Sequence, residues 1–332
     1  MKILFTISSL NSGGAERVLT TLANDLCEKH EVIIVKSDDD ESFYSLNDKV
    51  VLESLCMNKI NSSIIKKLSH NFNIVKVMRK SIKKYQPDVV ISFMDRTNIY
   101  TILATRFLDT KLIISERINY EYLKSKSWRF IRRLVYPYTD GMVVLSKYDY
   151  EKYNYVKDKQ IIFNPLFIEN SKINLTQKEN IILSVGRLVD DKGFDIFLNA
   201  LSLIDAKLLE SWKILIVGGG EKKEYLQRLS KKLGLDKKVE FLGKRKDIEE
   251  LYKKTSIFVS TSRAEGFPNA LSEALSFGCA CVATDCLTGP SELIEDDRNG
   301  FLVEVDAIQE IKDRLEVLLK DEKLRNDFAN EG

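Results

Sequence analysis

The chain has 332 residues, with 51 Lys and Arg against 49 Asp and Glu, two His, 44% hydrophobic and 30% charged side chains. That length and balance describe a globular protein with room for two cores, and they exclude disorder and collagen-like structure. No apolar run approaches the roughly 20 residues that cross a bilayer, and the small net charge of +2 hides an asymmetry: residues 1–165 carry 26 basic and 19 acidic side chains, the remainder 25 and 30.

Short β-branched runs alternate with amphipathic stretches, the pattern of a parallel sheet covered by helices, so the expected class is α/β. In the first half, strands are expected at Lys2 to Ser8, Glu31 to Lys36, Val50 to Glu53, Asp88 to Phe93, Lys111 to Glu116 and Gly141 to Ser146. The first of these is too short for a signal peptide, and with no export route visible the expected address is cytoplasmic. A helix over Ala15 to Glu28 places Val18, Leu19, Leu22 and Leu26 on one face. Before it, Gly13 and Gly14 open backbone N–H groups toward a phosphate, while the lack of a third, correctly spaced Gly argues against a dinucleotide fingerprint. The acidic run Ser37 to Ser42 reads as a solvated loop.

From Glu53 to Asp88 there is no intervening acid. Over Ile64 to Tyr85, the residues Ile65, Leu68, Phe72, Val75 and Ile82 recur at roughly helical spacing, which makes this a basic amphipathic helix. Its Lys66, Lys67, Lys76, Arg79, Lys80 and Lys83 are assigned to membrane or lipid-phosphate contact. Lys124, Lys126, Arg129, Arg132 and Arg133 form a second patch around Trp128 and Phe130. An anionic lipid surface attracts such residues by about 1 kcal/mol each. A solvated helix covering the sheet is the competing reading; nucleic acid is disfavoured by the acidic second half.

The expected domains are residues 1–165, a polar linker over 166–179, and 180–332, with strands at Ile181 to Val185, Lys213 to Val217, Val239 to Leu242, Ser256 to Ser260 and Ala280 to Thr284. Two tandem Rossmann-like domains bind ligands in a cleft at the carboxyl ends of their strands. Arg187 and Lys192 follow the first strand of the second series, cations suited to a leaving diphosphate. Gly218 to Gly220 offer close backbone approach after the next strand. In Ser262 to Glu273, Pro268 suits a first helical position with Phe267 as an N-cap that has no side-chain acceptor, leaving the helix start open to an anion. Glu265 and Glu273 flank that start, with an ordinary helix start and two solvated glutamates as the alternative. The five cysteines are odd in number and unlike a disulfide framework, and are expected to be free thiols.

Glu265 with Glu273 eight positions on, the Gly186-Arg187 to Lys192-Gly193 pair and the Gly-Gly-Ala-Glu loop from Gly13 together resemble the retaining, GT-B-fold glycosyltransferases of family 4. Among these, the chain resembles bacterial N-acetylgalactosaminyltransferases that extend lipid-linked oligosaccharides. The resemblance implies that Arg187 and Lys192 hold a donor diphosphate, Glu273 the ribose and Glu265 the donor sugar and its oxocarbenium-like centre. Gly13, Gly14, Gly186, Gly218, Lys244, Gly266, Phe267, Pro268 and Leu271 would complete the donor side, and Asp95, Glu116 and Arg117 would lie near the acceptor or reaction centre. It further implies an acceptor-binding first domain and a donor-binding second one. A UDP-linked hexose or N-acetylhexosamine would pass to an undecaprenyl-diphosphate-linked glycan at the anionic inner leaflet of the cytoplasmic membrane, without cofactor or metal. A UDP-sugar epimerase and an inactive binding subunit of the same fold are the alternatives.

Two features depart from the family pattern. Ser115-Glu116-Arg117 stands where many relatives have a His, and an always-charged guanidinium cannot take a proton. The usual final helix that crosses back to the first domain is not visible before Gly332. The acidic run after the second strand raises the metal-binding carboxylates of the other major glycosyltransferase fold, against which the two tandem sheets argue.

Overall fold

The structure is a computed structural model that describes residues 1–57, 63–166 and 175–332. The chain divides into two compact units, Met1–Pro165 and Leu166–Gly332. Most of the linker expected over 166–179 lies outside the described residues, and the strand that follows starts at Glu179.

The first unit is a seven-stranded parallel sheet in the order β3-β2-β1-β4-β5-β6-β7. Its strands are β1 (Lys2–Ile7), β2 (Glu31–Lys36), β3 (Val51–Ser54), β4 (Val89–Phe93), β5 (Lys111–Ser115), β6 (Gly141–Val144) and β7 (Lys159–Ile161). The helices between them are α1 (Gly14–Leu26), α2 (Ile64–Tyr85), α3 (Asp95–Thr105), α4 (Lys126–Val135) and α5 (Lys147–Lys152). Leu4, Ile33, Val90, Leu112, Ile114, Met142 and Val144 project from one sheet face into a core closed by Ile74, Met78 and Ile82 of α2 and Ile99 and Ile102 of α3. The bounds of α2 match the sequence expectation, but its buried face does not. Leu68 and Phe72 are 64% and 73% exposed, and Ile74 and Met78 take the inward positions. Basic side chains expected at a surface are redirected too. Arg79 donates to the carbonyls of Ala104 (2.6 Å) and Arg106 (2.8 Å), closing the end of α3, and Arg132 is wholly buried.

The second unit is a six-stranded parallel sheet ordered β10-β9-β8-β11-β12-β13, with β8 (Glu179–Val185), β9 (Lys213–Val217), β10 (Val239–Gly243), β11 (Thr255–Ser260), β12 (Ala280–Thr284) and β13 (Phe301–Val303). Its helices are α6 (Phe194–Ser202), α7 (Ala206–Leu209), α8 (Lys223–Lys232), α9 (Ile248–Lys254), α10 (Asn269–Ser276), α11 (Ile308–Lys320) and α12 (Glu322–Glu331). Ile182, Ile214, Ile216, Ile257 and Val259 pack under α6 and α11; Leu183, Leu215, Phe258 and Cys281 pack under α10. Lys178 ties this unit at the base of β8. Its ammonium donates to the carbonyls of Tyr252, Thr255 and Phe277 at 3.1, 2.8 and 2.7 Å. All five cysteines are unpaired thiols, four buried and Cys56 exposed.

β7 and β13 were not expected. Each is a three-residue edge strand, too short for an alternation to register. In each sheet the strand order reverses once, between β1 and β4 and between β8 and β11. In open α/β sheets the loops leaving the strands beside such a reversal form the ligand crevice.

Candidate active site

In the second unit the reversal brings together two segments 73 residues apart. After β8 the chain passes Gly186 and Arg187, makes a short turn over Asp190–Lys192 and enters α6. After β11 it runs from Thr261 to Pro268 and enters α10. The Arg263 N–H bonds to the carbonyl of Asp191 (2.8 Å), and the Thr261 hydroxyl donates to the carbonyl of Gly193 (2.8 Å). Gly193 has φ +60°, and a Cβ there would lie 1.9 Å from the Thr261 carbonyl oxygen, so this approach requires glycine.

On this stitched platform the Lys192 ammonium forms an ion pair with the Glu265 carboxylate, and the Ser262 hydroxyl donates to the same carboxylate oxygen at 2.6 Å. Glu265 is 9% exposed and held from behind by the Thr288 hydroxyl on its carbonyl (2.5 Å). Two residues singled out separately in the sequence are thus one unit, a fixed cation against a fixed anion. Arg187, which leaves β8 on the same loop, is exposed and has no ion-pair or hydrogen-bond partner for its guanidinium among the described residues.

Sequence reasoning missed Arg263. Its guanidinium grips Asp195 with two bonds (3.0 and 2.8 Å), Asp306 (2.8 Å) and the Asp190 carbonyl (2.7 Å), and the two carboxylates raise its proton affinity further. It sits two residues before Glu265 and fixes the loop that carries it. The motif contained Arg263, but its partners could be identified only from the fold.

The rest of the expected donor side gathers at the same strand ends. Gly218 has φ +143°, and a Cβ there would meet the Gly186 carbonyl oxygen at 1.8 Å, so the ends of β8 and β9 close on each other. The Lys244 side chain lies over Gly219. The helix start is shifted by one residue from the expectation: α10 begins at Asn269 and Pro268 is its N-cap, again with no side-chain acceptor. Phe267 and Pro268 are buried behind it, Gly266 is half-buried, and Glu273 lies in the second turn of the helix, half-buried. The Leu271 side chain is in the core, so only its backbone is available to a ligand.

In the first unit the loops beside the reversal follow β1 and β4, and the loop after β5 comes next along the sheet. Gly13 is the N-cap of α1, without a side-chain cap, and Gly14 is its first residue. Met94 links β4 to α3 with φ +77°, unusual for a side chain of its size, and its N–H bonds to the Ser115 carbonyl (3.1 Å). Asp95 opens α3 and accepts from the Arg96 N–H (2.6 Å). Glu116, expected near the acceptor, is closed off from solvent. Its carboxylate points inward, is 2% exposed, and accepts from the Tyr136 hydroxyl and from Asn98 Nδ2 (2.8 Å). Burial, then the charge of Asp95, push its pKa up to about 7, against the lowering effect of Tyr136, Arg132 and Asn98. Arg117 turns to the other side of the strand, over the Phe93 ring. Among the described residues no group of three or more His, Cys, Asp or Glu is arranged to hold a metal.

Residues 167–332 match the family model described as glycosyl transferases group 1, and residues 12–157 match that of glycosyltransferase family 4. Over 99% of this chain and 92% of the relative, the sequence is 40% identical to a Campylobacter jejuni protein. That relative is named as a GalNAc-alpha-(1->4)-GalNAc-alpha-(1->3)-diNAcBac-PP-undecaprenol alpha-1,4-N-acetyl-D-galactosaminyltransferase. The chain belongs to glycosyltransferase family 4. This transferase is also 30% identical to the amylovoran biosynthesis glycosyltransferase AmsD of Erwinia amylovora, over 99% of the chain and 93% of that relative. Among solved structures it superposes on Anabaena HepE in complex with UDP and glucose with a TM-score of 0.82, at 20% identity and covering 100% and 93% of the two chains. That likeness bears on the fold, which is GT-B.

Of the transferase's basic residues assigned to a membrane, Lys66, Lys67, Lys76, Lys80 and Lys83 are exposed, whereas Arg79 is committed to α3. No helix among the described residues is long and apolar enough to cross a membrane.

Proposed function

We propose that this enzyme transfers a hexose or N-acetylhexosamine, with retention, from a UDP-linked donor to an undecaprenyl-diphosphate-linked glycan, without a metal. The observation that carries the chemistry is the Lys192–Glu265 pair at the β8/β11 reversal. The resemblance to the Campylobacter jejuni enzyme supports the acceptor class.

In this reading Lys192 and Arg187 take the charge that develops on the donor diphosphate, with the uncapped start of α10 as a third positive element. The bond from the anomeric carbon to the phosphate oxygen breaks, and the acceptor oxygen bonds to that carbon on the same face. The acceptor proton passes to the departing phosphate oxygen, so no histidine base is needed. Glu265, freed from Lys192 by the arriving phosphate, places its carboxylate against the oxocarbenium-like carbon. Glu273 binds ribose hydroxyls. Glu265→Gln is expected to lower kcat by about 100- to 1,000-fold, the usual cost of removing one preorganised electrostatic group, with an unchanged melting temperature. Full turnover in that variant would refute the assignment.

The acceptor's lipid anchor places the enzyme at the anionic inner face of the cytoplasmic membrane. The exposed lysines of α2, with Leu68, Phe72 and Phe130 exposed among basic residues, supply both the charge and the apolar contact for peripheral binding. Liposome flotation tests this: recovery should rise with anionic lipid content and fall when Lys76, Lys80 and Lys83 become Glu. Equal recovery on neutral and anionic vesicles would remove the membrane assignment.

A further inference from the structure

We infer that Arg117 anchors a second anion site, in the first unit, built to receive the diphosphate group of a substrate. The diphosphate rests on the reaction proposed above; the anion site rests on the geometry alone.

Arg117 follows Glu116 at the carboxyl end of β5, the neighbour of β4 and one strand from the reversal, and the two side chains part to opposite sides of the sheet. The guanidinium lies 5.0 Å from the centroid of the Phe93 ring, which in turn packs on Phe5. Its hydrogen-bond partner is the neutral Asn164 Oδ1 (2.5 Å), and its Nε is sealed from solvent with no acceptor. Among the described residues no carboxylate lies within ion-pair distance of it. Burial alone draws its pKa down to about 10, with no opposing contribution from a neighbouring charge.

The other interior guanidiniums are provided for. Arg132 donates to the Tyr120 carbonyl and the Tyr153 hydroxyl and feels the charge of Glu116; Arg79 has two carbonyls; Arg263 has two carboxylates. Arg117 has five N–H donors and spends one of them on an amide oxygen. Arg117 is half-buried, and a cation partly withdrawn from water without an anion costs the folded state free energy. The adjoining Met94 adds strain at the same strand ends. Cost and strain concentrated at a ligand-binding edge mark a site whose missing anion arrives with the ligand, and the planar guanidinium fork matches phosphate oxygens. Both the nucleotide-sugar donor and the lipid-linked acceptor carry a diphosphate, so the shared chemistry has two sources.

The test uses the full chain carrying Arg187→Met and Lys192→Met, which removes the cations proposed for the second unit. Inorganic pyrophosphate should still raise the melting temperature, and adding Arg117→Gln should weaken the pyrophosphate Kd by at least tenfold. Ligand-free, the Arg117→Gln protein should melt no lower than its parent, because a half-buried charge with no carboxylate beside it among the described residues has been removed. A lower ligand-free melting temperature together with an unchanged pyrophosphate Kd would make Arg117 a structural residue and overturn the inference. Repeating the titration with UDP and with farnesyl diphosphate separates the sources: Arg117-dependent protection by the first assigns the site to the donor, by the second to the acceptor. If pyrophosphate binding depends on Arg117 but the wild-type chain transfers no sugar, the site stands and the proposed reaction falls. If the wild-type chain transfers sugar but pyrophosphate binding ignores Arg117, the reaction stands and the site falls.

Discussion

Glu116→Gln should flatten the pH dependence of stability in the first unit. The carboxyl group is wholly buried, faces the charge of Asp95 from α3 and of Arg132 from α4, is hydrogen-bonded by Tyr136 and Asn98, and has its pKa raised from 4.5 to about 7. Its charge also acts on the hydroxyls of Tyr136, Tyr153 and Tyr155. A carboxyl whose folded pKa lies above its unfolded one binds more protons in the folded state between those two values, so stability falls as pH rises through the window. The interval from 4.5 to about 7 corresponds to about 3 kcal/mol at 1.36 kcal/mol per unit. The contribution is present in full below pH 4.5 and lost above pH 7. Gln keeps an oxygen for Tyr136 and Asn98 but never ionises. Urea unfolding at several pH values, in a Trp212→Phe background so that Trp128 alone reports on α4, measures the difference between variant and parent. The variant should gain about 3 kcal/mol relative to wild type between pH 5 and pH 8. A difference that does not change with pH would refute both the raised pKa and the claim that the carboxylate is trapped inside.

Two further substitutions test the scaffold under the donor site. Gly218→Ala should cost at least about 2 kcal/mol, because the new Cβ meets a backbone oxygen and φ +143° strains any L side chain; a melting temperature within a degree of wild type would contradict the close approach of β8 and β9. Lys178→Met removes three hydrogen bonds to backbone carbonyls in a partly buried setting and should cost about 2–3 kcal/mol, read as a lower denaturation midpoint with unchanged KM for the donor. A rise in KM without loss of stability would place Lys178 in binding instead.

All strands but the short edge strands β7 and β13 were legible, because parallel strands inside a sheet read as short β-branched runs, and α2 was legible to the residue. Its inward face was not, and the reason is length. A 22-residue helix spans about 33 Å, whereas five- or six-residue strands cover about 17–20 Å, so α2 outruns the strands beneath it. Leu68 and Phe72, early in α2, keep the helical period without finding a partner, and periodicity alone cannot tell that stripe from the one through Ile74, Met78 and Ile82. Lys192 and Glu265 were each found from their places after a strand, but their pairing depends on β8 lying beside β11, a matter of strand order that local pattern does not carry.

The end of β5 is different, because the information was present in the sequence. Side chains on a strand alternate with period two, and Leu112 and Ile114 are core residues. Glu116 continues their parity and Arg117 opposes it. Continuing the alternation two residues past the strand sends the carboxylate into the interior beside Tyr136 and Asn98 and the guanidinium to the face of Phe93. Grouping Glu116 and Arg117 as one acceptor-side neighbourhood treated adjacency in sequence as adjacency in space. On a strand, adjacent residues face opposite sides, so one charge is retained by the core as a carboxyl with a raised pKa while the other is left one strand from the reversal, with no carboxylate in ion-pair distance among the described residues.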